Sequence, residues 1–342
     1  MISKELQEII GKEFKGEAKF TKLSADMRGK VVVIYGGNNL GKTLQASKMK
    51  NPIFMPFEKG LNAVNGAMVL PTTSWKDARK NAKRLGGKKF LKLLQTGEQI
   101  TIVIDGMESV GLYCRDYIAS SYDARDIGAA KGGFGAWQPY EDEMKRWVDS
   151  IISLGYTVVF LGHRSLDKKL DKYVIKGDER NIAPIRDNAD VVVYLEANGL
   201  DDEGKEIHSS GYLAESEDFF ARSRFDYMDT YIEDFTAENL EKTIIDGIQR
   251  EIDEKGIDNT TFEEQQEIYK DTNEMSIDEV KEAIREMYDT ISDMGEKELD
   301  KYADIVEEHL GDVTVSEATN KQLLSLQCIL DDLEMLIEEL ED

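Results

Sequence analysis

The pattern of apolar and polar positions divides the chain in two. Five apolar runs, 31–35 (VVVIY), 52–57 (PIFMPF), 101–105 (TIVID), 156–161 (YTVVFL) and 190–195 (DVVVYL), read as strands. All but the second are nearly continuous, which suits central strands covered on both faces. Helix-competent segments at 41–50, 74–94 and 138–154 lie between them. This alternation predicts a mostly parallel sheet with helices on its faces. A short helix and a lead-in over 1–28 precede it. The polar, turn-rich stretch NGLDDEGKEIHSSG (198–211) reads as a long hairpin connection, and DFFARSRFDYM (218–228) as a further strand.

From residue 236 the pattern turns helical and acidic. Residues 236–275 predict a loosely packed helix or linker. SIDE (276–279) and TNKQ (319–322) are capping-box patterns, and EKELDKYADIVEEHLG is a helix closed by Gly311. In the last helix Leu323, Leu326, Leu330, Leu333, Ile337 and Leu340 form a seam of coiled-coil period. It suits either a small bundle or an oligomer contact. The expected fold is an α/β core with a central, mostly parallel sheet over 29–235, then the segment 236–275, then a small acidic all-α module over 276–342.

Charge sharpens this division. The net charge of −25 is almost wholly C-terminal: residues 236–342 hold 33 acids and 9 bases, leaving 35 acids and 34 bases in 1–235. The overall acidity therefore does not exclude a polyanion partner for the core. The segment 75–94 is itself basic, with Lys76, Arg79, Lys80, Lys83, Arg84, Lys88, Lys89 and Lys92 against Asp77 alone. It reads as a solvated helix face or as a phosphate-backbone surface. No apolar run approaches a membrane span. The segment MISKELQEIIGKEF lacks the apolar stretch of a signal peptide, and Cys114 and Cys328 stand far apart. A reducing cytoplasm is the expected setting.

The chemistry starts at Gly36, Gly37, Asn38, Asn39, Leu40, Gly41, Lys42 and Thr43, which fit G-x-x-x-x-G-K-[ST], with Leu44 next. A strand before and a helix-competent segment after supply the context this motif needs. Backbone N–H groups of such a loop cradle the phosphates of ATP. Lys42 adds a point charge at the β- and γ-phosphates, and Thr43 a hydroxyl ligand for Mg²⁺. Asp105, ending its apolar strand, is the second expected magnesium ligand. Glu58 ends the 52–57 strand and is either a turn acid or the base that deprotonates an attacking water. His163, at the end of the fourth strand, is either structural or a γ-phosphate sensor. Arg222 and Arg224 alternate, so on a strand they point the same way. They read either as a surface charge ladder or as fingers on a neighbouring subunit's nucleotide. Trp137, Tyr140 and Tyr173 are candidates for stacking on bases, or else core residues.

Several blocks, YGGNNLGKT, PIFMPFEKGLNAV, TIVIDGMESV, GGFGAWQPYEDEMKRWVDSIISLGYTVVFLGH and FFARSRFDYM, resemble the phage-encoded RecA-like P-loop ATPases. That group includes single-strand annealing recombinases with a minimal RecA core, and the resemblance covers roughly residues 18–245. It implies that Glu58 is the catalytic carboxylate, that His163 senses phosphate, and that the Arg222/Arg224 pair, Arg224 above all, reaches across a subunit interface. It also makes the segment after His163 the counterpart of a DNA-contacting loop, here with Lys168, Lys169, Lys172 and Lys176 among four acids. Lys80, Lys83 and Arg84 would assist. The implied protein is an Mg²⁺-dependent ATPase acting on single-stranded DNA as an oligomer or filament in the cytoplasm of an infected bacterial host. A single-strand-binding or replication protein is a further implied partner. The alternative is a nucleotide-switched binding module whose acidic helices dock a partner, with little turnover. A stand-alone small-molecule kinase is weaker, because no lid or acceptor site is legible.

Overall fold

The computed structural model describes residues 3–13, 20–204, 207–266, 275–311, 313–319 and 322–341. Its strands are β1 (Val31–Gly36), β2 (Pro52–Pro56), β3 (Met68–Val69), β4 (Thr101–Asp105), β5 (Thr157–Asp167), β6 (Lys172–Ile175), β7 (Val191–Glu196), β8 (Ser210–Tyr212), β9 (Arg222–Ser223) and β10 (Tyr231–Ile232). The helices are α1 (Lys4–Glu13), α2 (Lys42–Ala46), α3 (Trp75–Leu85), α4 (Lys88–Gln95), α5 (Met107–Ser121), α6 (Trp137–Ile152), α7 (Glu179–Asn188), α8 (Ala237–Lys255), α9 (Phe262–Gln266), α10 (Ile277–Met294), α11 (Glu296–Leu310) and α12 (Leu323–Glu341). The chain divides into two compact units. One comprises Met1–Lys83 with Gly97–Tyr269, the other Arg84–Thr96 with Lys270–Asp342.

The first unit is built on one sheet, in the order β10-β8-β7-β1-β5-β4-β2-β3. The strands from β3 across to β7 run parallel, and the antiparallel strands β8 and β10 extend that end. As the apolar runs predict, β1, β4 and the first half of β5 are wholly buried. Alternation sends Val32, Ile34, Val193 and Leu195 to one face. There they cluster with Leu240, Ile244, Ile248 and Ile252 of α8. The expected linker over 236–275 is thus corrected in its first part: Thr236 caps a 19-residue helix whose apolar stripe closes the core. On the opposite face the register places Tyr35 beside Tyr194, Tyr194 beside Tyr212 and Tyr212 beside Tyr231. The result is a row of tyrosines across four adjacent strands.

Three further expectations change. The helix predicted over 41–50 stops at Ala46, because the chain must turn through Asn51 (φ 45°) into Pro52, and a residue before proline is steered away from helical backbone. The stretch 74–94 is two helices parted at Gly86–Gly87; α3 as far as Lys83 belongs to the first unit, and its last two residues with α4 to the second. The proposed loop after His163 is a β-hairpin: β5 continues to Asp167 and pairs antiparallel with β6, after which α7 begins. The hairpin connection expected over 198–211 does join two antiparallel strands, β7 and β8, although residues 205 and 206 lie outside the described set.

The second unit is a helical bundle of α4, α10, α11 and α12. Ser276 and Glu279 make both bonds of the predicted capping box, and Gly311 (φ 60°) closes α11. The leucine seam of α12 turns into this bundle, where Leu326 and Leu333 are fully buried with Val280, Ile284 and Ile291. The bundle reading therefore accounts for the seam. Helix α4 joins through Lys89, whose ammonium lies 3.0 Å from Asp332 and 3.1 Å from Glu308, and through the Lys88 N–H, which donates to Asp331 at 2.9 Å.

Candidate active site at the carboxyl edge of the parallel strands

Strand register brings the predicted residues together. Gly36 lies opposite His163, Pro56 opposite Asp105, and Asp105 opposite Leu161. Strand β5 thus sits between the strand leading into the phosphate loop and the strand ending in Asp105, with β2 on the far side of β4. One cavity of about 360 Å³ is lined by Asn38 through Leu44, together with Glu58, Gly60, Asp105 and His163. Of the predicted set, Gly36 and Gly37 lie outside this lining, although the Gly37 carbonyl accepts from Lys42 Nζ at 2.6 Å.

Thr43 Oγ1 donates to Asp105 Oδ2 at 3.3 Å, so the two expected magnesium ligands already meet. Gly60 closes over them: a Cβ there would stand 2.9 Å from Asp105 Oδ2. Burial pushes the Asp105 carboxyl up to about 6, and the nearby Glu58 carboxylate adds to this, while Thr43, Lys42 and His163 act against it. Burial also draws the Lys42 ammonium below its usual value, although Asp105, Glu108 and Glu58 all favour its charge. A buried carboxylate driven toward neutrality beside a hydroxyl is a donor set that a hard divalent cation would relieve. The residues fit Mg²⁺. Thr43 and Asp105 would hold it, and its charge would screen the phosphate oxygens of bound ATP.

Glu58 is fixed from one side. Ser109 Oγ donates to its Oε1 at 3.0 Å, and Gly106 lies beneath its chain. Gly106 adopts φ 102°, and a Cβ there would come within 2.5 Å of Glu58 Cγ, so only glycine fits. His163 Nδ1 lies 2.7 Å from Glu108 Oε1, and Lys176 Nζ lies 3.9 Å from the same oxygen. Burial works against the charge on Glu108, but the His163 hydrogen bond and the nearby Lys176 ammonium hold its carboxyl below the usual range. Ligand atoms of Glu58, Glu108 and His163 lie within 4.8 Å of one another. Because Glu108 is engaged with His163, it orients that imidazole. Sequence reasoning missed Glu108, Ser109 and Gly106. Their signal was GMES directly after Asp105, where a helix first turn projects side chains back over the strand ends.

Arg222 and Arg224 do point the same way, but into this chain. The strand expected over 218–228 is only two residues long, pairing with β7. Arg222 Nη2 lies 2.9 Å from each of the carbonyl oxygens of Arg186, Asp187 and Ala189, to which it donates, and Arg224 donates to the Asp187 carbonyl at 2.5 Å. Both cap the C-terminus of α7, where carbonyls lack helical partners. Neither lines the phosphate-loop cavity.

The predicted DNA-contacting lysines are scattered. Lys168 and Lys169 are exposed at the tip of the β5–β6 hairpin. Lys172 is paired with Glu215 at 2.7 Å, and Lys176 faces Glu108. Lys80 and Lys83 are exposed on the part of α3 in the first unit, whereas Arg84 belongs to the second. The 75–94 cluster is therefore divided between the two units. Among the aromatics, Tyr140 is buried, and Tyr173 lies under the Arg164 guanidinium (4.2 Å) and stacks on Tyr194. Trp137 is partly open beneath Arg180 at 4.9 Å.

A glycine-rich loop between a buried strand and a helix, closed by Lys42–Thr43 and faced by Asp105 from a strand one removed, defines a P-loop NTPase. The family described as "AAA domain" matches residues 28–225, and the chain belongs to it. A curated relative, the SPbeta prophage-derived uncharacterized protein YorG of Bacillus subtilis (strain 168), is 42% identical over 316 residues, covering 92% of this chain and 95% of the relative. Two solved structures are similar at a distance. An ATPase from the type III secretion system of pathogenic bacteria is 11% identical, with TM-score 0.37 over 89% of this chain and 80% of that one. A KaiC-like protein from Pyrococcus horikoshii OT3 is 14% identical, with TM-score 0.29 over 54% and 78%. Among the described residues no helix is long and apolar enough to cross a membrane.

Proposed function

We propose that this P-loop ATPase of prophage type is a DNA-recombination protein of the single-strand annealing kind. It hydrolyses ATP while bound to single-stranded DNA, as an oligomer with ATP between subunits. The observation that carries the reading is the continuity of β5: one strand bears His163 at the nucleotide edge and runs on to the exposed Lys168 and Lys169. A phosphate backbone at the tip and a phosphate at the site would then act on the same rigid element. In hydrolysis Glu58 takes the proton of the attacking water as its oxygen bonds to the γ-phosphorus. Lys42 and the loop N–H groups hold the phosphate oxygens as ADP leaves. Arg222 and Arg224 serve in this reading as supports of α7, and reaching a neighbour's nucleotide would require them to leave it.

The test is ATP turnover by the purified chain with and without single-stranded DNA, beside Lys42→Ala and Glu58→Gln. The expected result is DNA-stimulated, Mg²⁺-dependent turnover lost in both variants. Turnover indifferent to DNA would refute the recombination reading.

A second reading, a nucleotide-switched module that docks a replication or recombination partner, is favoured by one feature. The acidic helical unit carries a cavity of about 960 Å³ between α10 and α11, with Tyr288, Tyr302, Val306 and Val313 in its walls. Nucleotide binding without turnover in any condition would select it.

A further inference from the structure

Phe134 is the most exposed large apolar residue among those described, 90% open to solvent. It is not on a ragged end. The loop Lys131–Gly135 is held by backbone bonds from Gly133 to Ala129 (3.2 Å) and Ala130 (3.1 Å), and from Gly135 to Ala130 (3.0 Å). Lys131, Gly132, Gly133 and Gly135 all have positive φ, between 52° and 94°. Such a backbone is costly outside glycine, and here it turns one aromatic ring outward. An exposed aromatic displayed in this way has the form of an anchor lacking its socket.

The same unit has a hollow that none of its described residues fills. A hollow of about 610 Å³ opens beside the end of β7, walled by Tyr194, Tyr212, Phe219 and Tyr231 from the tyrosine row. Phe219 stacks on Tyr194 at 4.4 Å, and Tyr212 meets Phe219 at 4.8 Å and Tyr231 at 5.0 Å, tilted in both cases. A further ring entering beside tilted neighbours gains edge-to-face contacts. The rim is acidic, formed by Glu196, Glu215 and Asp218, and Lys172 is already paired with Glu215. That rim repels phosphate, so the hollow suits neither nucleotide nor nucleic acid. It favours an aromatic ring that carries a cation nearby. Phe134 has one, the exposed Lys131 three residues before it.

We infer that Phe134 of one copy inserts into the tyrosine-walled hollow of a second copy, with Lys131 meeting the Glu196 side of the rim. The inference rests on the self-association proposed above and names the contact that produces it. Knob and socket are different patches, so each copy offers both. The contact is head-to-tail and repeats into a ring or a filament.

Sedimentation velocity of the full chain across concentration, with and without ATP and Mg²⁺, tests this. Phe134→Ala removes only an exposed ring and should leave the thermal melt unchanged while weakening self-association at least about tenfold. Lys131→Glu and Glu196→Lys should each weaken it, and the two together in one chain should recover most of the loss. If the wild type assembles and Phe134→Ala assembles equally well, the inference fails while self-association stands. A wild type that sediments as a monomer in every condition overturns both. Unchanged sedimentation of Phe134→Ala with lost affinity for single-stranded DNA would assign the ring to nucleic acid instead.

Discussion

Asp105 carries the largest electrostatic tension of the site. Its carboxyl ionises at about 6 in the folded chain, against about 4 when unfolded. The folded state therefore holds its proton more tightly. The stability this gives is full below pH 4 and is lost as pH rises through 6, a difference on the order of 3 kcal/mol. Asp105→Asn removes the buried charge. It should raise the melting temperature of the nucleotide-free protein at pH 7.5 and abolish Mg²⁺-dependent turnover, with the thermal advantage vanishing near pH 4. An unchanged melt at pH 7.5 would mean that the carboxylate is solvated. Ser109 acts at one remove, by holding Glu58. Ser109→Ala should lower kcat on the order of tenfold with KM for ATP unchanged, and Ser109→Thr should retain most of the rate. Equal losses in kcat and in nucleotide affinity would instead indicate general damage to the site.

At the scale of elements, Arg222 ties the end of α7 to β9. Arg222→Ala leaves three carbonyls without that donor and should cost about 2 kcal/mol, read as a lower urea midpoint with unchanged slope. A substitution that left the midpoint in place but abolished turnover would give the arginine to a neighbour's nucleotide. This pair also shows what the sequence could and could not convey. Alternation of Arg222 and Arg224 correctly placed both side chains on one side, but alternation does not say what lies there. The strands β1, β4, β5 and β7 were legible because burial on both faces demands unbroken apolar runs, and the phosphate loop because its spacing is chemically constrained. Glu58, Asp105 and His163 followed from strand ends. Glu108 and Ser109 did not, since their roles arise from a helix turn crossing over two strands, a relation without local signature. The extension of β5 past His163 was hidden because RSLD is polar, and its partner β6 is found only by a turn at Asp171 (φ 51°).

For the whole molecule, the instructive unit is the discontinuous bundle. Helix α4 comes from the middle of the core sequence, and its Leu94 is buried. Ending the chain at residue 269 would thus remove three of four helices and strand the apolar side of the fourth. That truncation should aggregate on mild heating, measured by light scattering. Replacing 84–96 with a short polar linker in the same truncated chain should restore a soluble core with its own cooperative melt. If the simple truncation is as soluble as the full chain, α4 does not depend on the bundle.

The same arrangement sets an order in time. The growing chain must add about 235 residues beyond Thr96 before Asp331 and Asp332, which hold α4, exist, roughly 10–50 s at bacterial rates. Through that interval the leucines of α4 have no bundle to enter, while the strands from β4 to β10 are made one after another. A chain that stops short of α12 therefore leaves the leucines of α4 without these partners, and should be cleared from cells faster than the full chain, read as its half-life in a pulse-chase.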